Sequence, residues 1–392
     1  MDWRLAPFAV ASVQRALLVP GLIASAVALS GCGTDDSESA QAPGGSPIAV
    51  TYDGGIYVLD PTTLIQTGEV ELDGFNRLNP AGDDRHLMVS TENGFRVFDA
   101  ADAEFTGAEF PAVEPGHVVR HAGRTVLFDD GTGEVTSFDP DKLGDGKPET
   151  EVYRAAAPHH GVAVELANGE LVVTLGTEDK RVGIAVLDKN RVEITRNEDC
   201  PGAHGEAAVK DEAIVIGCQT GVLVYRNGVI TKVTSPTSYG RIGNTAGSPT
   251  SSIVLGDYKQ DKDAELERPQ QISLIDTSNG TLRLVDLGTS YTFRSLARGP
   301  QGEALVLGTD GHIHVIDAVT GTFIRTIPVI DPWQEPLKWQ QPRPALFTRG
   351  AMAYVSDPAT NQVHRIDLAT GAVAATTTLA AAPNELSGVA GH

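Results

Sequence analysis

Cysteine is scarce in this 392-residue chain: there are three, too few for a disulfide-built scaffold. Positive charge is scarce too. The 30 Lys and Arg stand against 51 Asp and Glu, a net charge of -21, which argues against binding a phosphate backbone as the main activity. Beyond residue 29 no stretch approaches the ~20 apolar residues of a membrane span. Enzyme signatures are also missing: there is no GxSxG, no HExxH and no P-loop. The acid-rich segment GDYKQDKDAELERP at 256–269 lacks the Gly that an EF-hand turn needs, and it reads as a solvated loop. What the chain does have is punctuation. Its 42 Gly and 23 Pro, with 41% hydrophobic and 6% aromatic residues, fit many short strands and tight turns better than long helices.

The N-terminus reads as an address. Arg4 and Arg15 precede an apolar run from Ala16 to Leu29 that ends in Leu29-Ser30-Gly31-Cys32. A basic region, an apolar region and small residues before a cleavage point make a secretory signal. Cys directly after Leu-Ser-Gly resembles the bacterial lipoprotein box, so residues 1–31 are expected to be removed and Cys32 lipidated. Residues 32–47 are acidic and rich in Ser, Gly and Pro, a composition that makes a flexible tether. The folded part is expected to span 48–392, exported and anchored on the outer side of the cytoplasmic membrane.

Length alone allows two or three domains or one large repeat architecture, and the repeats decide. A strand ending in Asp and a turn recurs as IYVLDPTT, FRVFDAAD, VTSFDPDK, IAVLDKNR, VLVYRNGV, ISLIDTSN, IHVIDAVT and VHRIDLAT. The anchors fall at positions 60, 99, 139, 188, 226, 276, 317 and 367, and Arg226 replaces Asp in the fifth. Gaps of 38 to 50 residues match the blade of a β-propeller. Each unit accommodates four strands. The anchor Asp accepts local backbone N–H groups and sets a hairpin, a structural role. The first unit has only three strands, and PNELSGVAG near the C-terminus resembles the missing one. The expected fold is therefore all-β, a single propeller of eight four-stranded blades, or seven, closed by a C-terminal strand that completes the first blade.

The first strand of each blade lines the central channel. Aligned on the following Gly turn, the residues that begin those strands are Arg77, His117, His160, His204, Gly240 or Arg241, Arg294, Arg343 and Glu385. Three adjacent blades thus contribute a histidine at one level. Such imidazoles suit Zn²⁺, and also Cu²⁺ or Ni²⁺. A fourth ligand would come from His159, Glu206, Glu385 or water. His121 falls on the same strand face as His117, at a deeper level. His86 reads as a satisfied sheet residue, and His312, His314 and His364 as solvated. Cys200 and Cys218 lie at the same end of two antiparallel strands, which permits a disulfide in an exported protein. Thiolate metal ligation beside His204 is the alternative. Arg77, Arg294 and Arg343 at the mouth would meet a carboxylate, an anionic partner or the protein's own acidic loops.

The segments FNRLNPAGD, GHVVRHAGRTVLFDDGTG, PHHGVAVEL, CPGAHGEA, YGRIGN, LVDLGTSY, FRSL and WQQPRPALF resemble the exported zinc metallochaperone that accompanies a zinc ABC transporter and its solute-binding protein. The resemblance covers nearly all of 48–392. It implies a non-enzymatic propeller that carries Zn²⁺ and hands it to the solute-binding protein, and the chain is expected to be a monomer. Carried over by motif, His117, His159 or His160, and His204 are the metal-site residues. The chain departs from that family in one respect: it has no His-rich acidic tract, the corresponding stretch being ADAEFTGAEFPAVEPG. The competing functions are a propeller enzyme, lactonase-like or quinone-dependent, and a metal-free protein-binding module.

Overall fold

The computed structural model describes residues 45–389. The segment expected to be a signal peptide, Cys32 and most of the segment expected to be a tether lie outside them. The described residues form eight antiparallel sheets of four strands arranged as an eight-bladed β-propeller. In seven blades the four strands run in chain order from the channel outward. Blade 2, for example, is built of Arg77–Pro80, His86–Thr91, Gly94–Asp99 and Glu104–Pro111. One extra two-residue strand, Gly240–Arg241, pairs in parallel with Thr220 of blade 5.

Blade 1 is assembled from both ends of the chain. Ile48–Tyr52, Gly54–Leu59 and Gln66–Leu72 supply its outer three strands, and Leu386–Gly388 pairs with Ile48–Val50 as the innermost one. The junction is extended by Thr51 N–H donating to Glu385 O (2.9 Å) and Asn384 N–H donating to Thr51 O (2.7 Å). The expected closure is thus present, and blade 1 has its full four strands.

The anchor aspartates act as the turn chemistry requires. Asp60 accepts the amides of Thr62 and Thr63, Asp317 those of Val319 and Thr320, and Asp367 those of Ala369 and Thr370. Asp99, Asp139, Asp188 and Asp276 do the same in their own hairpins. Backbone N–H donation holds the carboxyls of Asp60, Asp188, Asp317 and Asp367 below the usual range.

The core lies between blades. Val119 of blade 3, Val164 and Ile184 of blade 4, and Ile216 and Leu223 of blade 5 share one apolar layer. Ile48, Val50 and Tyr57 of blade 1 pack against Tyr354 and Val363 of blade 8, which seals the ring. Because packing is lateral, the channel itself is free to carry polar groups. Two expectations are corrected here. His314 and His364 are buried rather than solvated, 5% and 7% exposed, since their strands place them between neighbouring sheets. The segment at 256–269 is not all solvated loop: Asp257 ends the strand Ile253–Asp257, and Tyr258 packs in the layer between blades 5 and 6.

Candidate metal centre

The mouth at which the inner strands begin gathers three imidazoles. His117 belongs to the strand Pro115–His121 of blade 3. His160 lies just before Ala163–Glu165 of blade 4, and His204 opens His204–Val209 of blade 5. Their rings are 4.9 to 5.3 Å apart, centre to centre, and one ligand nitrogen from each falls within 4.8 Å of the others. Zn–N bonds of about 2.0–2.1 Å in a tetrahedron bring nitrogens to ~3.4 Å, so modest side-chain rotation closes the set.

Local irregularity aims two of these rings. The pairing of blade 3's inner strand slips between Pro115 and Val118, and that of blade 5 slips between His204 and Glu206. Such bulges re-aim a side chain. Gly205 sits at φ +74, and a Cβ there would lie 2.4 Å from Gly243 O, so only glycine fits. At Gly161 a Cβ would come 2.2 Å from the Phe128 ring.

His160 and His204 hydrogen-bond through Nδ1, and His117 turns its Nδ1 to an ion-pair partner. His117 Nδ1 is 3.2 Å from Glu206 Oε2, His160 Nδ1 is 2.5 Å from Asp130 Oδ2, and His204 Nδ1 is 2.5 Å from Gly243 O. An acceptor at Nδ1 fixes the tautomer with the proton there and leaves the Nε2 lone pair for a metal. Asp130 is held by donating Gly161 N–H (3.1 Å), while its neighbour Asp129 caps the turn through Gly131 N–H. Asp130 was not read from the sequence as part of a site. The only signal was the doubled acid in FDDGTG, where one Asp suffices for the hairpin.

Burial, then the like charges of His117, Arg241 and His160, hold the His204 ring well below the ordinary histidine range, against the bond to Gly243. Burial also lowers His121 and His364 despite Glu212 and Asp357 nearby. For all three, the folded state binds fewer protons than the unfolded chain between the lowered pKa and about 6.5. Stability therefore rises with pH across that interval and falls on acidification. The melting temperature of metal-free protein should drop from pH 7.5 to 5.5, and His364→Gln should flatten the slope. A flat profile in the wild type would contradict the burial argument.

The other expected site residues are placed as follows. His159 is turned away from the cluster and 2% exposed; its Nδ1 meets Ala157 O (2.9 Å), its Nε2 meets Thr174 Oγ1 (3.0 Å), and its ring packs edge-on to Phe128. With both nitrogens occupied it has no lone pair to offer. His121 lies at the opposite end of the same strand and pairs with Glu212 (3.2 Å). Glu385 is engaged by Arg294 (2.5 Å) and lies 3.8 Å from Arg77, and Arg343 pairs with buried Glu335 (2.6 Å). The mouth arginines thus balance the protein's own acids. Cys200 and Cys218 are joined in a disulfide, which removes thiolate ligation. A cavity of about 180 Å³ opens onto the cluster, lined by Arg77, His117, His204, Glu206 and Phe293 among others.

No family model matches the chain. The chain is similar to a zinc chaperone. That protein, AztD of Citrobacter koseri, is 26% identical over 269 residues, which are 66% of this chain and 62% of AztD. The matched region thus spans less than two thirds of that relative. The crystal structure of Citrobacter koseri AztD superposes with a TM-score of 0.76 at 21% identity, covering 88% of this chain and 97% of that one. The apo AztD structure from the same organism gives 0.75 at 22% identity, covering 88% and 98%. The dihydro-heme d1 dehydrogenase NirN shares the fold at a TM-score of 0.62 and 14% identity, over 90% of this chain and 76% of that one. At these structural identities the AztD and NirN coordinates establish the propeller fold alone.

Outer-shell carboxylates typically contribute 10–100-fold to metal affinity. Asp130→Asn keeps the shape but removes the charge behind His160, and Glu206→Gln does the same behind His117. Each should weaken zinc binding by about 10–100-fold, measured by chelator competition, with no loss of fold. Wild-type affinity in both variants would remove these carboxylates from the site.

Proposed function

We propose that this protein is an extracytoplasmic zinc carrier that binds Zn²⁺ through Nε2 of His117, His160 and His204. The observation that carries the reading is three rings converging from rigid strands, each with Nδ1 turned to a carboxylate or carbonyl oxygen. Rigid placement and fixed tautomers favour uptake without rearrangement, and neutral imidazoles suit a borderline-soft cation. The similarity to the zinc chaperone AztD supports zinc as the cargo. The role is carriage without turnover. Delivery is to the solute-binding protein of a zinc ABC transporter, and the molecule is a monomer of one propeller, residues 48–392. The lipobox Leu29-Ser30-Gly31-Cys32 supports export and anchoring through Cys32 on the outer side of the membrane.

The deciding experiment is metal analysis followed by transfer. Purified protein should bind close to one Zn²⁺, then lose it to the metal-free solute-binding protein encoded with its transporter faster than to a chelator of equal affinity. Equal rates would mean release into solution and no direct handover. No zinc uptake at all would sink the carrier reading.

A further inference from the structure

Among the described residues, no fourth His, Cys, Asp or Glu joins the three histidines in the metal cluster. The nearest carboxylates, Glu206 and Asp130, are already on the Nδ1 side of His117 and His160. Three neutral imidazoles leave a bound Zn²⁺ with its full charge and one open position.

Two further cations crowd this centre. Gly243, whose carbonyl accepts from His204 Nδ1, is packed against Arg241: a Cβ on Gly243 would sit 2.3 Å from Arg241 Nη1. Arg181 shares with His160 a cavity of about 420 Å³ that opens beside the cluster. Burial, then the like charge of Arg241, holds the Arg181 guanidinium below its ordinary range, against the attraction of Asp130. Neither arginine forms an ion pair among the described residues, whereas Arg77, Arg294 and Arg343 at the same mouth each approach a carboxylate. The Asp130 and Glu206 carboxylates offset only part of the charge of Zn²⁺ and these two guanidinium groups, so an anion entering with the metal is electrostatically favoured.

We infer that the fourth zinc ligand comes from outside this chain and is a carboxylate, one oxygen on the metal and the other facing Arg181 and Arg241. The inference rests on the zinc-carrier reading. Zn²⁺ takes carboxylate oxygen at about 2.0–2.2 Å, and the guanidinium fork matches the carboxylate geometry. The cavity of about 420 Å³ that His160 and Arg181 line together admits a group of that size. The carboxylate is either a free small acid or an Asp or Glu side chain presented by another polypeptide.

The test uses Co²⁺ in place of Zn²⁺, because its visible absorption reports coordination. Co²⁺-loaded protein is titrated with acetate, with a capped Gly-Glu-Gly peptide, with the matching Gly-Gln-Gly peptide and with phosphate. A saturable change with acetate or the Glu peptide, absent with the Gln peptide and weakened about tenfold or more in Arg181→Gln and Arg241→Gln, is the expected result. Tighter binding of the Glu peptide than of acetate identifies a polypeptide as the source; equal binding identifies a free acid. No change, a change with phosphate alone, or a change undiminished in both variants overturns the inference. Failure of the wild type to take up Co²⁺ strikes instead at the carrier reading, and retained Co²⁺ binding in the variants shows that they are folded.

Discussion

Replacing His117, His160 or His204 by Ala should weaken zinc binding by more than the ~10–100-fold expected of an outer-shell change, since each removes a ligand outright. His159→Ala, one residue from His160, should leave zinc affinity unchanged. It should instead lower stability by about 1–3 kcal/mol, because it leaves the Ala157 carbonyl and the Thr174 hydroxyl without a buried partner. The contrast separates ligation from folding. Chelator competition reads the first and thermal denaturation the second. Wild-type zinc affinity in all three ligand variants would refute the site, and loss of affinity in His159→Ala would mean that it takes part after all.

The second large effect concerns the disulfide. Cys200 and Cys218 are 18 residues apart, a loop whose closure contributes about 3 kcal/mol in the chain-entropy account. Cys200→Ala with Cys218→Ala, or reduction of the wild type, should lower the melting temperature by several degrees. It should also weaken zinc binding, for a structural reason. Ile242 N–H donates to Cys218 O (2.9 Å), which anchors the chain just before Gly243, whose carbonyl orients His204. Loosening Cys218 therefore loosens the acceptor behind one ligand. A drop in stability with unchanged zinc affinity would confine the bridge to a folding role.

Much of the ring could be read directly. The eight hairpins were legible because each needs the same local chemistry, an acceptor at the strand end, and seven of the eight use Asp. The closing strand was legible because blade 1 lacked one. The metal cluster was half legible. His117 and His204 follow from their place at inner-strand starts. PHHG, however, puts two adjacent histidines at one start, and successive residues on an extended chain point to opposite sides. Which of His159 and His160 faces the channel depends on Phe128 and Thr174, which lie in other strands and take up His159. His314 and His364 were misjudged for the same reason, since burial between sheets is a property of the neighbouring blade.

By itself the sequence determined the repeating unit, the turn chemistry, the all-β architecture and the placing of three histidines on consecutive blades, and left eight blades or seven open. These depend on residues near one another in the chain. Only the tertiary structure decided which nitrogen of each ring is free, that Asp130, Glu206 and the Gly243 carbonyl stand behind the ligands, and that Arg181 and Arg241 make no ion pair among the described residues. The acceptors at His117 and His204 lie 89 and 39 residues from their partners in the chain. Closing the propeller into a ring brings blades 3, 4, 5 and 6 around one axis, and that closure creates the site's electrostatics.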